Sequence, residues 1–406
     1  MRKSNRRSFL KRAGALGTVG VATLAGCSGG DGGDGSDGGD GGSDGSSGSD
    51  GSSGGSDGGS STDGGSLQTV TIASAPTPTT SLEVAYLRED TNLLEDVMAE
   101  AGYEAEVTLS FDELSLFLGG NADIAPSVGT IEAAQLGVEQ EQELTAHALM
   151  VPQHTGLYVR NGSQYDPDEV GGMQTAVDNL VENNAKFGIG GFGLGTIPAY
   201  RLIFEEEFGY EFGRDGDFNI VTANFPTLSR LVAEGQLDAG GSGPPYGLWG
   251  VRDQVKPLFW NQEMMPEIGF DRLNICISNG ITRTEFAEEN PEAASAWFAL
   301  EKRAHEYIGD NVSEFASRSS VQENLNVPSQ EAAEYVLNFR YNAQHSPNQY
   351  PGSLTDVQWT DERIEGDKAA LRRATELGAL PEGWEEQVSY QKGNIQEYYD
   401  MAVDME

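Results

Sequence analysis

The stretch Phe187–Tyr210, FGIGGFGLGTIPAYRLIFEEEFGY, decides how the rest of the chain is read. It is a glycine-rich loop running straight into a helix. Gly188, Gly190, Gly191, Gly193 and Gly195 allow backbone conformations that other residues resist. Thr196 is placed to cap the helix, and Pro198 falls in its first turn, where a missing N–H costs nothing. Ile197, Tyr200, Ile203, Phe204 and Phe208 then recur at helical spacing, and Gly209 can end the helix. Such a strand–loop–helix unit belongs to an α/β sheet, and its free N–H groups suit a polar or anionic ligand. A plain turn would read the same way.

The stretch contains G-x-G-x-x-G at Gly188, Gly190 and Gly193. A dinucleotide site does not follow. The helix starts after Gly195 rather than inside the motif. The next apolar run, Phe218–Ala223, ends in Asn224 where a ribose-binding acid is required.

Around this unit lies a shorter echo. Leu114–Leu118 is helical in pattern and leads into Gly120-Asn-Ala-Asp123, a short strand Ile124-Ala125, and the loop Pro126–Thr130. Leu228–Glu234 leads in the same way into Gly235-Gln-Leu-Asp238, Ala239, and the loop Gly240–Tyr246. Gly120 and Gly235 read as helix C-caps. One copy in each half predicts two lobes on a common plan. Four loops follow strands: Ala75–Thr80, Pro126–Thr130, Gly191–Thr196 and Gly240–Tyr246. In open α/β sheets ligands gather at such strand ends. None of the four contains an acid, in a chain with 64 Asp and Glu. This predicts a cleft spared from negative charge, suited to a neutral or anionic solute rather than a cation.

Further elements follow from pattern. Val70–Ser74 and Glu104–Leu109 read as strands, Leu82–Glu100 as one helix, and Leu273–Ile277 as a strand returning between the lobes. From Pro291 onward the chain reads as largely helical, with Phe298, His305, Tyr307, Trp359, Leu371 and Leu377 as packing residues.

The first 66 residues are of another kind. Arg6-Arg7-Ser8-Phe9-Leu10-Lys11 is a twin-arginine export pattern. The apolar run Ala13–Ala25 is too short to span a bilayer. It ends in Leu24-Ala25-Gly26-Cys27, a lipobox-like site that predicts cleavage and lipidation at Cys27. Ser28–Ser66 is Gly, Ser, Asp and one Thr, which cannot bury a core. As a flexible tether its reach is roughly 35 Å. The signal (1–27) and tether (28–66) thus hold a folded part that starts at Leu67.

The formal charge is −39, and the six cations up to Arg12 leave −45 once the leader is removed. That excess argues against nucleic acid as a partner. The acids are scattered along helices, as on the solvated surface of a halophilic protein. No metal or other cofactor is predicted, and a monomer is expected. His147, His154, His305 and His345 form no metal-binding spacing. Ser242, in Gly240-Gly-Ser-Gly-Pro244, fails the nucleophile-elbow pattern. Cys276, the only cysteine of the folded part, sits in an apolar run and reads as a buried small hydrophobe. His154 with Cys276 is the one pairing an enzyme could use. Asn161-Gly-Ser163 and Asn311-Val-Ser313 are glycosylation sequons compatible with an outside location.

Taken in order, Gly193-Leu-Gly195-Thr196, LSRLVAEGQLDA at Leu228–Ala239, GNADIA at Gly120–Ala125, PEAASAW at Pro291–Trp297 and the element ending Glu376-Leu-Gly378 resemble the solute-binding lipoproteins of ABC importers. The likeness is to the nitrate, sulfonate, taurine and thiamine-pyrimidine-precursor branch. It implies an α/β, two-lobed type II periplasmic-binding fold with mixed sheets, helices on both faces and two crossing hinge strands. Lobe 1 would be 67–155 plus 262–406, and lobe 2 would be 156–261. It also implies a permease partner, a lipid anchor at the outer face of the membrane, and no catalysis. Ser74, Thr77, Ser127, Thr130, Gly195, Thr196 and Tyr246 would hold the solute. Two alternatives are an enzyme of the pyrimidine-precursor-synthase type and a surface sensor without a permease.

Overall fold

The computed structural model describes residues 67–110, 112–192, 195–243, 247–342 and 352–406. The export signal, Cys27, the tether and Tyr246 lie outside the described residues.

Among the described residues eleven strands form two mixed sheets. They are β1 (Gln68–Ser74), β2 (Tyr103–Leu109), β3 (Ile124–Ala125), β4 (Leu144–Ala146), β5 (Gly156–Arg160), β6 (Lys186–Ile189), β7 (Asn219–Thr222), β8 (Ala239–Ser242), β9 (Val255–Trp260), β10 (Ile281–Arg283) and β11 (Val388–Tyr390). The six-stranded sheet runs β11-β4-β10-β3-β1-β2, and the five-stranded sheet runs β7-β6-β8-β5-β9. The plan repeats. In the first sheet β1 is flanked by parallel β2 and β3, and β10 then joins β3 antiparallel. In the second sheet β6 is flanked by parallel β7 and β8, and β5 joins β8 antiparallel.

The echoed G-x-x-D segments explain the repetition. Gly120 and Gly235 both end helices at φ +72°, a conformation that suits glycine. Asp123 then clasps β1: its N–H donates to Thr71 O (2.8 Å) and its Oδ2 accepts from Thr71 N–H (2.9 Å). Asp238 clasps β6 identically, through Lys186 O (2.9 Å) and Lys186 N–H (2.8 Å). Each Asp thereby fixes the register in which the next strand enters its sheet.

The stretch at Phe187 builds β6 and then the helix Thr196–Ile203, extended by a wider turn, Phe204–Phe208. Gly195 is the cap, and Thr196 is already the first helical residue. Gly209 ends the helix at φ +75°. Phe187 meets Phe204, Phe212 and Phe218 edge-on, Phe204 stacks on Phe212, and centroid distances of 4.5–5.7 Å join the four into the aromatic core of the second sheet. That pairing geometry adds to the area they bury.

Two elements differ from expectation. Leu82–Glu100 is not one helix but Pro78–Ala85, a wide turn Tyr86–Asp90, and Leu93–Glu100. The break is at Thr91-Asn92. Thr91 Oγ1 donates to the carbonyls of Tyr86 (3.0 Å) and Leu87 (3.3 Å), and Asn92 takes φ 58°; both residue types compete with the helix by such local bonds. Leu273–Ile277 forms no strand. Asp367 Oδ1 accepts from Ile275 N–H (2.6 Å) and Gln153 Nε2 donates to Ile275 O (2.9 Å). Side chains thus take the bonds a neighbouring strand would have made, and Ile275 is held at φ 50°. The two connections between the sheets still meet, through an antiparallel bridge of Val151 and Ser278.

The C-terminal part is helical, led by Pro291–Asp310, and it packs on the first sheet around Trp297, Phe298, Trp359 and Leu337. No helix among the described residues is long and apolar enough to cross a membrane.

Candidate functional site

A cavity of about 320 Å³ opens where β1 and β3 end. Ser74, the last residue of β1, shares a hydrogen bond with Ser127 Oγ (2.8 Å), and Ser127 Oγ accepts from Ala75 N–H (3.1 Å). Thr77 caps the helix Pro78–Ala85, accepting from Thr80 N–H (3.1 Å), with Pro78 in the first turn. The proline-rich loop is therefore a helix start. Thr77 Oγ1 also bonds the hydroxyls of Thr80 (2.7 Å) and Thr79 (3.2 Å). Met150, Val151 and His154, from the first connection between the sheets, and Ile277 and Ser278, from the second, complete the rim.

The cavity also contains charge. Glu83 stands one helical turn beyond Thr79, and Glu301 and His305 stand one turn apart on Pro291–Asp310; spacings of four residues share a helix face. Arg340 comes from the helix Gln330–Tyr341. Glu83 is buried, accepts from Tyr341 Oη (2.6 Å) and faces His305 Nε2 (3.3 Å). His305 Nδ1 donates to Leu354 O (3.0 Å), because a carbonyl can only accept. Burial pushes the Glu83 carboxyl up, but His305, Arg340 and Tyr341 outweigh it and hold it below the usual carboxylate range. Glu301 has the opposite balance: burial and the nearby Glu83 charge push it well above that range. Burial likewise raises Glu113 to about 7, with Ser127 and Ala75 opposing. Arg340 donates through Nη1 to Gly352 O (3.1 Å), while its buried Nε has no partner.

Of the residues expected to hold a solute, Ser74, Thr77 and Ser127 meet at this cavity. Thr130, Gly195 and Thr196 do not line it. Thr130 begins the helix Thr130–Gln140, its N–H donating to Asn279 Oδ1 (3.0 Å). Gly195 lies against Glu132: an added Cβ would collide with Glu132 Oε1. Gln153 Nε2 donates to Gly195 O (2.9 Å). The start of the helix Thr196–Ile203 therefore meets a carboxylate from the chain itself. Burial raises that Glu132 carboxyl to about 7, the Glu113 charge adds to the rise, and the N–H groups of Glu132, Gly129 and Gly195 oppose it.

The acid-free loops do not make an acid-free site. The helices behind them bring Glu83, Glu113 and Glu301 to its wall, so this cavity is not free of acids as the loops alone suggested. His305, expected only to pack, lines the cavity as well. Fourfold spacings such as Thr79 to Glu83 and Glu301 to His305 were the available signal, but a sequence this acidic offers many of them.

His154 lines the cavity, whereas Cys276 does not. His154 Nδ1 faces Pro152 O (3.2 Å), and burial lowers its pKa to about 3. Cys276 is fully buried, its thiol donating to Leu273 O (3.1 Å) and pushed well up by burial. Such a thiol is inert. Among the described residues no group of three His, Cys, Asp or Glu is placed to hold a metal ion.

The chain matches no protein-family model and no curated protein sequence. Solved structures do match. The alkanesulfonate-binding protein of Xanthomonas axonopodis pv. citri, solved with MOPS, aligns over 80% of this chain and 98% of its own, at 12% identity and a TM-score of 0.54. The periplasmic nitrate-binding protein of Synechocystis PCC 6803 aligns over 84% and 89%, at 15% identity and a TM-score of 0.53. This is the two-lobed periplasmic-binding fold. The ligand-binding component of an ABC-type import system from Staphylococcus aureus, solved with zinc, shares it over 82% of this chain and 99% of that one, at 14% identity and a TM-score of 0.51. Identities this low carry the fold and leave the ligand open.

Proposed function

We propose that this protein is the extracytoplasmic solute-binding component of an ABC importer. It captures a small polar solute and delivers it to a permease. The carrying observation is the cavity at the ends of β1 and β3, which has hydroxyls on one side, a buried charged cluster on the other, and both connections between the sheets along its rim. A ligand there touches the segments about which two lobes would close. The lobes are 67–155 plus 262–406, and 156–261. Export through the twin-arginine pattern and a lipid on Cys27 would keep the protein at the outer face of the membrane. The nitrate- and alkanesulfonate-binding neighbours support the transport role. A bare anion such as nitrate or a simple sulfonate finds one guanidinium there, Arg340, already facing the ionised Glu83, with two further acids on the wall.

Melting the protein against alkanesulfonates, nitrate, taurine, amines and pyrimidines tests the role. A true solute at 100 times its dissociation constant adds about 2.7 kcal/mol and raises the melting temperature. The same rise should disappear on filling the cavity with Ser127→Trp. A rise that survives Ser127→Trp would put the site elsewhere.

A further inference from the structure

We infer that the solute carries protonatable nitrogen that meets the Glu301 and Glu113 carboxyls, and an acceptor group that reaches the buried Nε of Arg340. This rests on the cavity being the binding site and names the class of solute it takes.

Two acids in the cavity lack what the third has. Glu83 is satisfied by Tyr341, His305 and the nearby Arg340. Glu301 is more than nine-tenths buried, and neither it nor Glu113 forms an ion pair with any described residue. The groups around Glu301 are Trp297, Glu83, Arg340 and, one turn along its own helix, His305. Those around Glu113 are Ser127, the Ala75 N–H and, further off, the Glu132 carboxylate. Oε2 of Glu113 is buried without a partner. Arg340 is the sole Lys or Arg on the cavity wall among the described residues, and its Nε is equally unpartnered.

A buried polar atom without a partner costs free energy, and a buried unpaired charge costs more. Protons on Glu301 and Glu113 limit that cost, in line with the upward pKa shifts at both. A cationic nitrogen removes the need. It supplies the missing charge, the carboxyl gives up its proton to solvent, and a charge-assisted hydrogen bond forms. An anion would have to keep protons on Glu301 and Glu113 and would find one guanidinium, Arg340, facing the ionised Glu83. The unpartnered Arg340 Nε then selects, among amines, those with an oxygen or ring nitrogen able to accept.

The experiment is calorimetric titration of the purified full-length chain at pH 6 and pH 8. The probes are ethanolamine, 1,3-diaminopropane and 4-aminopyrimidine against ethanesulfonate, nitrate and sulfate. The inference expects binding by at least one nitrogen compound, at least tenfold tighter at pH 8 for those that stay protonated, with protons released into the buffer. Glu301→Gln should cost tenfold or more in that affinity, and Glu113→Gln several-fold, with circular dichroism showing both variants folded. Because Glu301→Gln could disturb the core, Glu113→Gln at the partly exposed rim carries the test if the first variant fails to fold. Binding of the anions without any amine would overturn this inference and leave the solute-binding role standing. Amine affinity unchanged in Glu113→Gln and Glu301→Gln would overturn it too. Silence from all six probes would count against both.

Discussion

The two G-x-x-D segments start alike and end differently. Asp123 and Asp238 make the same pair of backbone hydrogen bonds to a neighbouring parallel strand, at distances that agree within 0.1 Å. After Asp123 the chain opens into Pro126-Ser127 and a cavity. After Asp238 it stays buried: Gly241 has Tyr200 Oη where a Cβ would stand, and Ser242 is fully enclosed. The repeated motif therefore encodes a scaffold. What differs is the material behind it. The C-terminal helices lay Glu301, His305 and Arg340 behind the first copy, whereas the second copy is backed by Phe187, Phe204 and their aromatic neighbours.

The comparison can be broken most forcefully at Glu83. Glu83→Ala strips a buried charge from Tyr341, His305 and Arg340, and loss of one partner from such a cluster costs about 3–5 kcal/mol. Urea unfolding should show that loss, and solute binding should vanish with it. Next is Gly188→Ala in the second sheet, whose Cβ would collide with Leu237 and Leu228. Overpacking there should cost about 1–3 kcal/mol and leave solute affinity unchanged. Asp123→Ala and Asp238→Ala should each cost about 1–3 kcal/mol by leaving a backbone N–H unpaired. Asp123 Oδ1 also accepts from Arg283 Nη2 (3.4 Å), so Asp123→Ala should cost somewhat more, and only it weakens binding. A larger loss from Asp238→Ala would show that the clasps are not equivalent. Smaller again, Ser127→Ala should weaken binding several-fold and Thr196→Ala should leave it within twofold, as read by the ligand-induced shift in melting temperature.

The smallest effect is in the pH profile. Glu113 and Glu132 titrate near 7 in the folded protein, above the usual carboxylate value of 4.5. The folded state then holds protons that the unfolded chain has released. Their contribution to stability is full below about pH 4.5 and is lost as pH rises through 7. Glu132→Gln should flatten this decline between pH 5 and 8. An unchanged decline would mean that Glu132 is already ionised in the folded protein.

Much of the fold was legible. Glycines at φ +72° after two short helices, the clasping Asp residues and the aromatic spacing through Phe208 all lie in local sequence. The helix break at Thr91-Asn92 and the turn at Ile275 were not, because competing hydrogen bonds from Thr91, Asp367 and Gln153 decide them. Half of the cavity wall was readable for the same reason: Ser74, Thr77 and Ser127 follow strand ends. Glu83, Glu301 and Arg340 were hidden among 64 acids and 25 bases, because burial, which makes them distinctive, depends on helices distant in sequence.

The most direct test is a crystal structure with whichever solute raises the melting temperature. Solute density among Ser127, Glu301 and Arg340 is the predicted result. Density at the start of the helix Thr196–Ile203, beside Gly195 and Ser242, would contradict it and return the site to the glycine-rich loop.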